Sequence, residues 1–143
     1  MSFARLTLVV LALSLLSGCG RFRKAKECDL LAKTVSAWLA RQPAPSGAST
    51  ESKKLAVETR TTAGRYEELD RELAALDIKS RDLASRVERY RKIAVQSARA
   101  LQDAAAALER GNVELARQRR VEFDETMKAE SELVLEINSA CRR

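Results

Sequence analysis

The sequence predicts an all-α protein, an up-and-down four-helix bundle with a short first helix and three longer ones. Three observations point there. Aromatic residues make up 4% of the chain and glycines number five. Ala, Leu, Arg and Glu dominate, which suits helices and lacks the alternating β-branched and aromatic residues of a β-sandwich. From Leu55 onward, apolar residues recur at alternating spacings of four and three, the seam of a coiled coil or helical bundle.

The first helix is expected over residues 27–41. Cys28, Leu31, Val35, Trp38 and Leu39 share one face at helical spacing. Trp38, the only Trp, reads as a core anchor. Residues 42–50 hold both prolines and read as an extended linker, in which Ser49 or Thr50 can cap the next helix.

The second and third helices are expected over 51–76 and 81–110. Leu55, Thr59, Thr62, Tyr66, Leu69, Leu73 and Leu76 form one seam; Leu83, Val87, Tyr90, Ala94, Ser97, Leu101, Ala104 and Leu108 form the next. The two runs are in phase. The alternative is therefore an elongated coiled coil with helices 2 and 3 continuous, a rod of ~90 Å at about 1.5 Å per residue. A break at Asp77-Ile78-Lys79-Ser80 is preferred, with Ser80 as N-cap and Asp82 in the first turn.

Arg110-Gly111-Asn112 reads as a turn, with Gly111 in the left-handed C-terminal position and Asn112 capping the last helix. That helix, 113–140, carries Ala116, Phe123, Met127, Val134, Ile137 and Cys141 on one stripe. Met127 reads as core filler.

The chain has three cysteines. Cys28 and Cys141 flank the whole folded region, and an up-and-down bundle brings them to one end. They are expected to form a disulfide, in a compartment where disulfides persist. The short first helix covers only the stapled half of its neighbours. The other half is lined by Thr59, Thr62, Ala98, Ala104, Ala105 and Leu108. Small side chains there either let three helices close or leave a shallow groove.

The first twenty residues have a different character. Arg5 precedes an apolar run from Leu6 to Leu16, about eleven residues where a membrane span needs about twenty. That reads as a secretory signal over residues 1–18, cleaved. Its end, Leu16-Ser17-Gly18-Cys19, resembles the lipobox of bacterial lipoproteins. The resemblance covers this segment alone. It implies that Cys19 takes diacylglycerol on its thiol, becomes the first mature residue and is acylated on its amino group. A single acyl chain binds membranes marginally, so two or three make a lasting anchor. Gly20 stands where Asp, in that family, retains a protein at the inner membrane. The expected location is therefore the periplasmic face, with the outer membrane favoured over the inner. The mature part resembles small helical lipoproteins with cysteines near both ends, from which no functional residues transfer.

Residues 19–26 are expected as a lipidated basic tether and 27–143 as the bundle. Arg21, Arg23, Lys24 and Lys26 stand just after the anchor, as attraction to anionic headgroups or as a simple hydrophilic spacer. The mature part carries 25 Lys and Arg against 20 Asp and Glu, well interspersed. The runs at 86–92 and 117–120 read as solvated helix surface, and export argues against a nucleic-acid partner. Without histidine, Ser-His and Cys-His catalysis and most zinc sites are unsupported. No glycine-rich phosphate loop occurs. The expected function is thus non-enzymatic and cofactor-free. It is a cell-envelope lipoprotein acting as scaffold, adaptor or regulator through an unidentified protein partner. The alternative is a periplasmic module binding a small ligand or lipid.

Overall fold

The structure, a computed structural model, describes the backbone of residues 3–41 and 51–142, with side chains described from Gly20 onward in the first of these. The expected signal segment and the Cys19 thiol lie outside the described side chains, and the expected linker 42–50 lies outside the described residues. The described chain is four helices: α1 (Phe3–Ala40), α2 (Ser52–Ala74), α3 (Arg81–Glu109) and α4 (Val113–Arg142). The all-α bundle is therefore the fold, and α2 and α3 are separate helices.

Helix α3 is central. α2 and α4 pack along it on either side, and α1 lies against both α2 and α4. Burial on two sides explains the alanine content of α3. Besides its apolar seam, Ala98, Ala100, Ala105 and Ala107 are buried. On α2, Ala56 and Ala63 are buried likewise. Small side chains let helix axes approach closely, and long ones there would hold them apart.

The α3–α4 connection conforms closely to its sequence. Gly111 has φ 72°, a conformation that costs a residue with a Cβ and costs glycine little. The Asn112 N–H donates to the Ala107 carbonyl at 2.9 Å and the Gly111 N–H to Leu108 at 3.0 Å, the paired bonds of a Schellman ending. Asn112 Oδ1 then accepts the Leu115 N–H at 3.0 Å, capping α4.

The α2–α3 connection is built differently from the expectation. Ser80 does occupy the N-cap position, but its side chain makes no capping bond. The carboxylate of Glu27, from α1, accepts the backbone N–H of Lys79 at 2.9 Å and that of Ser80 at 3.1 Å. Helix α2 likewise starts from Glu51, without a side-chain cap; the expected caps Ser49 and Thr50 lie outside the described residues. The start of α1 differs too. It does not begin at residue 27, because residues 20–26 are helical. Lys24 there bonds to Asp82 in the first turn of α3 at 2.7 Å.

Most expected core positions are buried. Leu31, Trp38, Leu69, Leu73, Leu83, Tyr90, Leu101, Phe123 and Ile137 lie in one cluster. Leu39 is the exception on α1, 55% exposed, since it falls outside the narrow stripe that meets α2 and α4. Leu133, absent from the expected α4 stripe, is almost fully buried.

Glu27 is a buried acid whose ionised form the fold selects. Burial raises its pKa, but hydrogen bonds from the Ser80 hydroxyl and the Lys79 and Ser80 amides, with the charge of Arg23, outweigh this and hold it below the ordinary 4.5. Its contribution to stability is therefore complete above about pH 4.5 and is lost as the pH falls through the lower folded value. Glu27→Ala, which leaves two amides unpaired, should cost about 1–3 kcal/mol by chemical denaturation at pH 7. Glu27→Gln should flatten the stability profile below pH 4.5; an unchanged acid limb would show that Glu27 does not carry it.

Candidate functional site

The two features that could serve function lie at opposite ends of the bundle. At one end, Cys28 of α1 and Cys141 in the last turn of α4 form the expected disulfide, with Cα atoms 5.8 Å apart. It closes a sequence separation of 113 residues. Beside it runs an apolar cleft of about 240 Å³ between α1 and α4, lined by Leu31, Val35, Tyr90, Val134 and Ile137. Cys19 lies nine positions before Cys28, but its side chain is outside the described set.

Midway along the bundle, three aromatics from three helices meet. Trp38 of α1 stacks at a tilt on Tyr66 of α2, centroids 5.4 Å apart. Tyr66 meets Phe123 of α4 edge-on at 5.7 Å. The Trp38 indole N–H donates to the Arg65 carbonyl at 2.9 Å, so its one polar atom is satisfied where the ring is buried. Arg65 donates back to the Arg41 carbonyl at 2.6 Å, and Arg41 pairs with Glu68 and Glu72. This cluster ends the part of the bundle that α1 covers.

Beyond it lies an open groove of about 220 Å³. Leu55 and Thr59 of α2, Leu101, Ala104 and Leu108 of α3, and Val113 and Ala116 of α4 line it, with Arg117 and Arg120 at its edge. Of the six small or apolar residues expected in this half, Thr59, Ala104 and Leu108 line the groove. Ala98 and Ala105 are buried between helices, and the Thr62 hydroxyl is turned to the Glu58 carbonyl at 3.0 Å. The small residues thus do both things anticipated of them: some close the helices, and others leave a hollow.

Little acid–base chemistry is poised anywhere in the described residues. The Tyr66 and Tyr90 phenols are pushed well above 10, first by burial and then by the nearby Glu130. Both stay protonated at neutral pH: Tyr90 donates to Glu130 at 2.6 Å, and Tyr66 to the Met127 thioether at 3.1 Å. Among the described residues no group of His, Cys, Asp and Glu is placed to hold a metal ion. A polar cleft of about 540 Å³ between α3 and α4 contains Arg99, Asp103, Arg119 and Glu122. Its Arg119 is bound by Glu122 at 2.7 Å. The basic runs are neutralised in the same way. Arg89 pairs with Glu136, Arg91 with Asp70 and Glu88, and Arg120 with Asp124. No described helix is long and apolar enough to cross a membrane.

Comparison with known proteins finds no matching family model, curated protein or solved structure.

The disulfide and the buried ring each have a solution signature. Reduction, or Cys28→Ser with Cys141→Ser, should lower the melting temperature by roughly 5–15 °C, the consequence of releasing a loop of about a hundred residues. An unchanged transition would count against the bond. Trp38 emission should be blue-shifted in the native protein, as its burial requires; a solvent-exposed spectrum would mean α1 is undocked.

Proposed function

We propose that this chain is a non-enzymatic cell-envelope lipoprotein. It is held to the periplasmic face of a membrane through Cys19, the outer membrane favoured, and acts as a scaffold, adaptor or regulator through protein contacts. The observation that carries this reading is the position of the Cys28–Cys141 bond. A structural disulfide suits an exported chain. It also ties the start and finish of the bundle together, nine residues from the lipobox cysteine. An anchor there leaves the α3–α4 turn and the open groove at the end away from the membrane.

A second reading, a small-ligand or lipid carrier, draws on the apolar lining of the groove at Leu55, Leu101 and Leu108. Its volume favours the first. At about 220 Å³ it falls below the ~300–1,000 Å³ of pockets that enclose a ligand. A shallow apolar hollow with exposed Leu55 and Val113 on its margins is better suited to a side chain or short helix of a partner.

Intact mass spectrometry of the detergent-extracted chain should find it starting at Cys19, with the mass of a diacylglyceryl group and usually one further acyl chain. Cys19→Ser should release it from the membrane fraction. A mature chain starting elsewhere, or unchanged partitioning of the variant, would refute the anchor. An apolar molecule copurifying in stoichiometric amount would favour the carrier.

A further inference from the structure

The stapled end of the bundle is also its basic end. Three contacts define that end: Lys24 to Asp82, Glu27 to the Lys79 and Ser80 amides, and Cys28 to Cys141. They bring residues 20–28, 77–82 and 141–142 together. Seven Lys and Arg side chains lie in these three segments against three acids. Each of the acids is already engaged: Glu27 with the turn amides, Asp82 with Lys24, and Asp77 with Lys79. Arg21, Lys26, Arg81 and Arg142 are exposed, and none has an ion-pair partner among the described residues. At the opposite end, residues 51–54 and 109–114 carry three basic and three acidic side chains. The charge is polarised along the bundle.

An aromatic sits among these cations. Phe22 is 66% exposed, while Trp38, Tyr66, Tyr90 and Phe123 are buried. The Lys26 ammonium lies 4.5 Å from the Phe22 ring centre. An exposed ring flanked by Arg and Lys is the composition of a surface lying at a membrane interface. In water alone it is an unfavourable use of a phenyl group.

The rigidity of the segment matters as much as its charge. Residues 20–26 belong to α1, and Lys24 is bonded to α3. The first turn of α3 therefore stands level with a residue five positions past Cys19, a rise of about 7.5 Å along a helix. That is within the ~8–10 Å over which charges act in physiological salt. Arg81 would therefore feel an anionic surface lying at Cys19.

We infer that the basic end is a docking face for anionic phospholipid headgroups, with Phe22 entering the interface. It seats the bundle upright on the membrane with its groove outward. This rests on the membrane-anchored reading for its setting; its recognition chemistry is separate from the acyl chains. Each Lys or Arg near an anionic surface contributes about fivefold in affinity.

Lysine acylation footprinting tests it, because the chain carries natural reporters at both ends. The full chain, extracted from membranes in detergent, is reconstituted with vesicles of phosphatidylcholine alone or an equal mixture with phosphatidylglycerol. On the mixed vesicles, Lys26 and Lys79 should label several-fold more slowly than on phosphatidylcholine, and Lys53 and Lys54 at an unchanged rate. About 1 M salt, where screening acts within about 3 Å, should remove the difference. Arg81→Gln with Arg142→Gln, both outside the expected tether, should weaken the headgroup affinity roughly 25-fold and so remove most of the several-fold protection. Blue-shifted Trp38 emission in that variant, unchanged from the parent, shows that it is folded. Equal labelling of Lys26 and Lys79 on the two vesicle types, with protein bound to both, would overturn the docking face and leave the anchor standing. Binding and protection on mixed vesicles, with no binding to phosphatidylcholine, would support the docking face and sink the anchor. Binding to neither would overturn both.

Discussion

The structure depends on two adjacent residues of α1. Successive helical residues point about 100° apart, so Glu27 and Cys28 face different neighbours. Glu27 binds the turn that joins α2 to α3, and Cys28 is bonded to the end of α4. One turn of α1 is thereby tied to the other three helices. The two ties act on different states. The disulfide chiefly restricts the unfolded chain. Glu27 acts in the folded state, where its carboxylate satisfies partly buried amides that would otherwise lack a protein partner. Losing either leaves the other, and α1 would still be located by one point and by Trp38.

That arrangement explains why a bundle of unequal helices is tolerated. α1 gives little contact to the rest beyond its narrow stripe of Leu31, Val35 and Trp38. The Trp38 ring lies ten residues past Cys28, about 15 Å along the helix. Between clasp and ring, α1 covers α2 and α4; past the ring, nothing described covers them. The groove at Leu55, Leu101 and Leu108 is the consequence of where α1 ends, and the alanines of α3 keep it shallow by holding the helices close.

Elements set by local chemistry are legible in the sequence. Gly111 and Asn112 form the turn and cap that their types imply, and the α3 seam is buried from Leu83 to Ala104. The helix break at 77–80 is legible as well, but its cause is not. Ser80 and Asp82 suggest a local cap, and the bond comes from Glu27, about fifty residues earlier in the chain. Periodicity gives α3 a single seam, although a central helix buries two sides. The alanines at 98, 100, 105 and 107 have the character of simple helix formers, and they are contact residues. Leu39 and Leu133 depart from their expected stripes for a related reason: stripe width depends on how many neighbours a helix has, which periodicity alone does not give. The groove is half legible. Small residues mark its location, but which of them face outward is a matter of packing.

The bundle is polarised in constraint and in charge, and the two polarities coincide. The end that is covalently closed and hydrogen-bonded is also the end where Arg and Lys outnumber the acids, and the opposite end has equal numbers of both signs, is less constrained and is hollowed. A protein held at one end by acyl chains would otherwise swing about its attachment, and any partner surface would sample all orientations. Joining the basic segment rigidly to the bundle would convert such an attachment into orientation. On the proposed membrane-anchored reading, the disulfide and Glu27 would do more than stabilise: they would transmit the direction set at the membrane through α1 to the groove at the far end. Buried protonated tyrosines, paired carboxylates and self-neutralised arginine runs leave the remaining surface chemically quiet. On the proposed reading, function resides in what is presented and at which angle, so rigidity at the stapled end is the property on which that role turns.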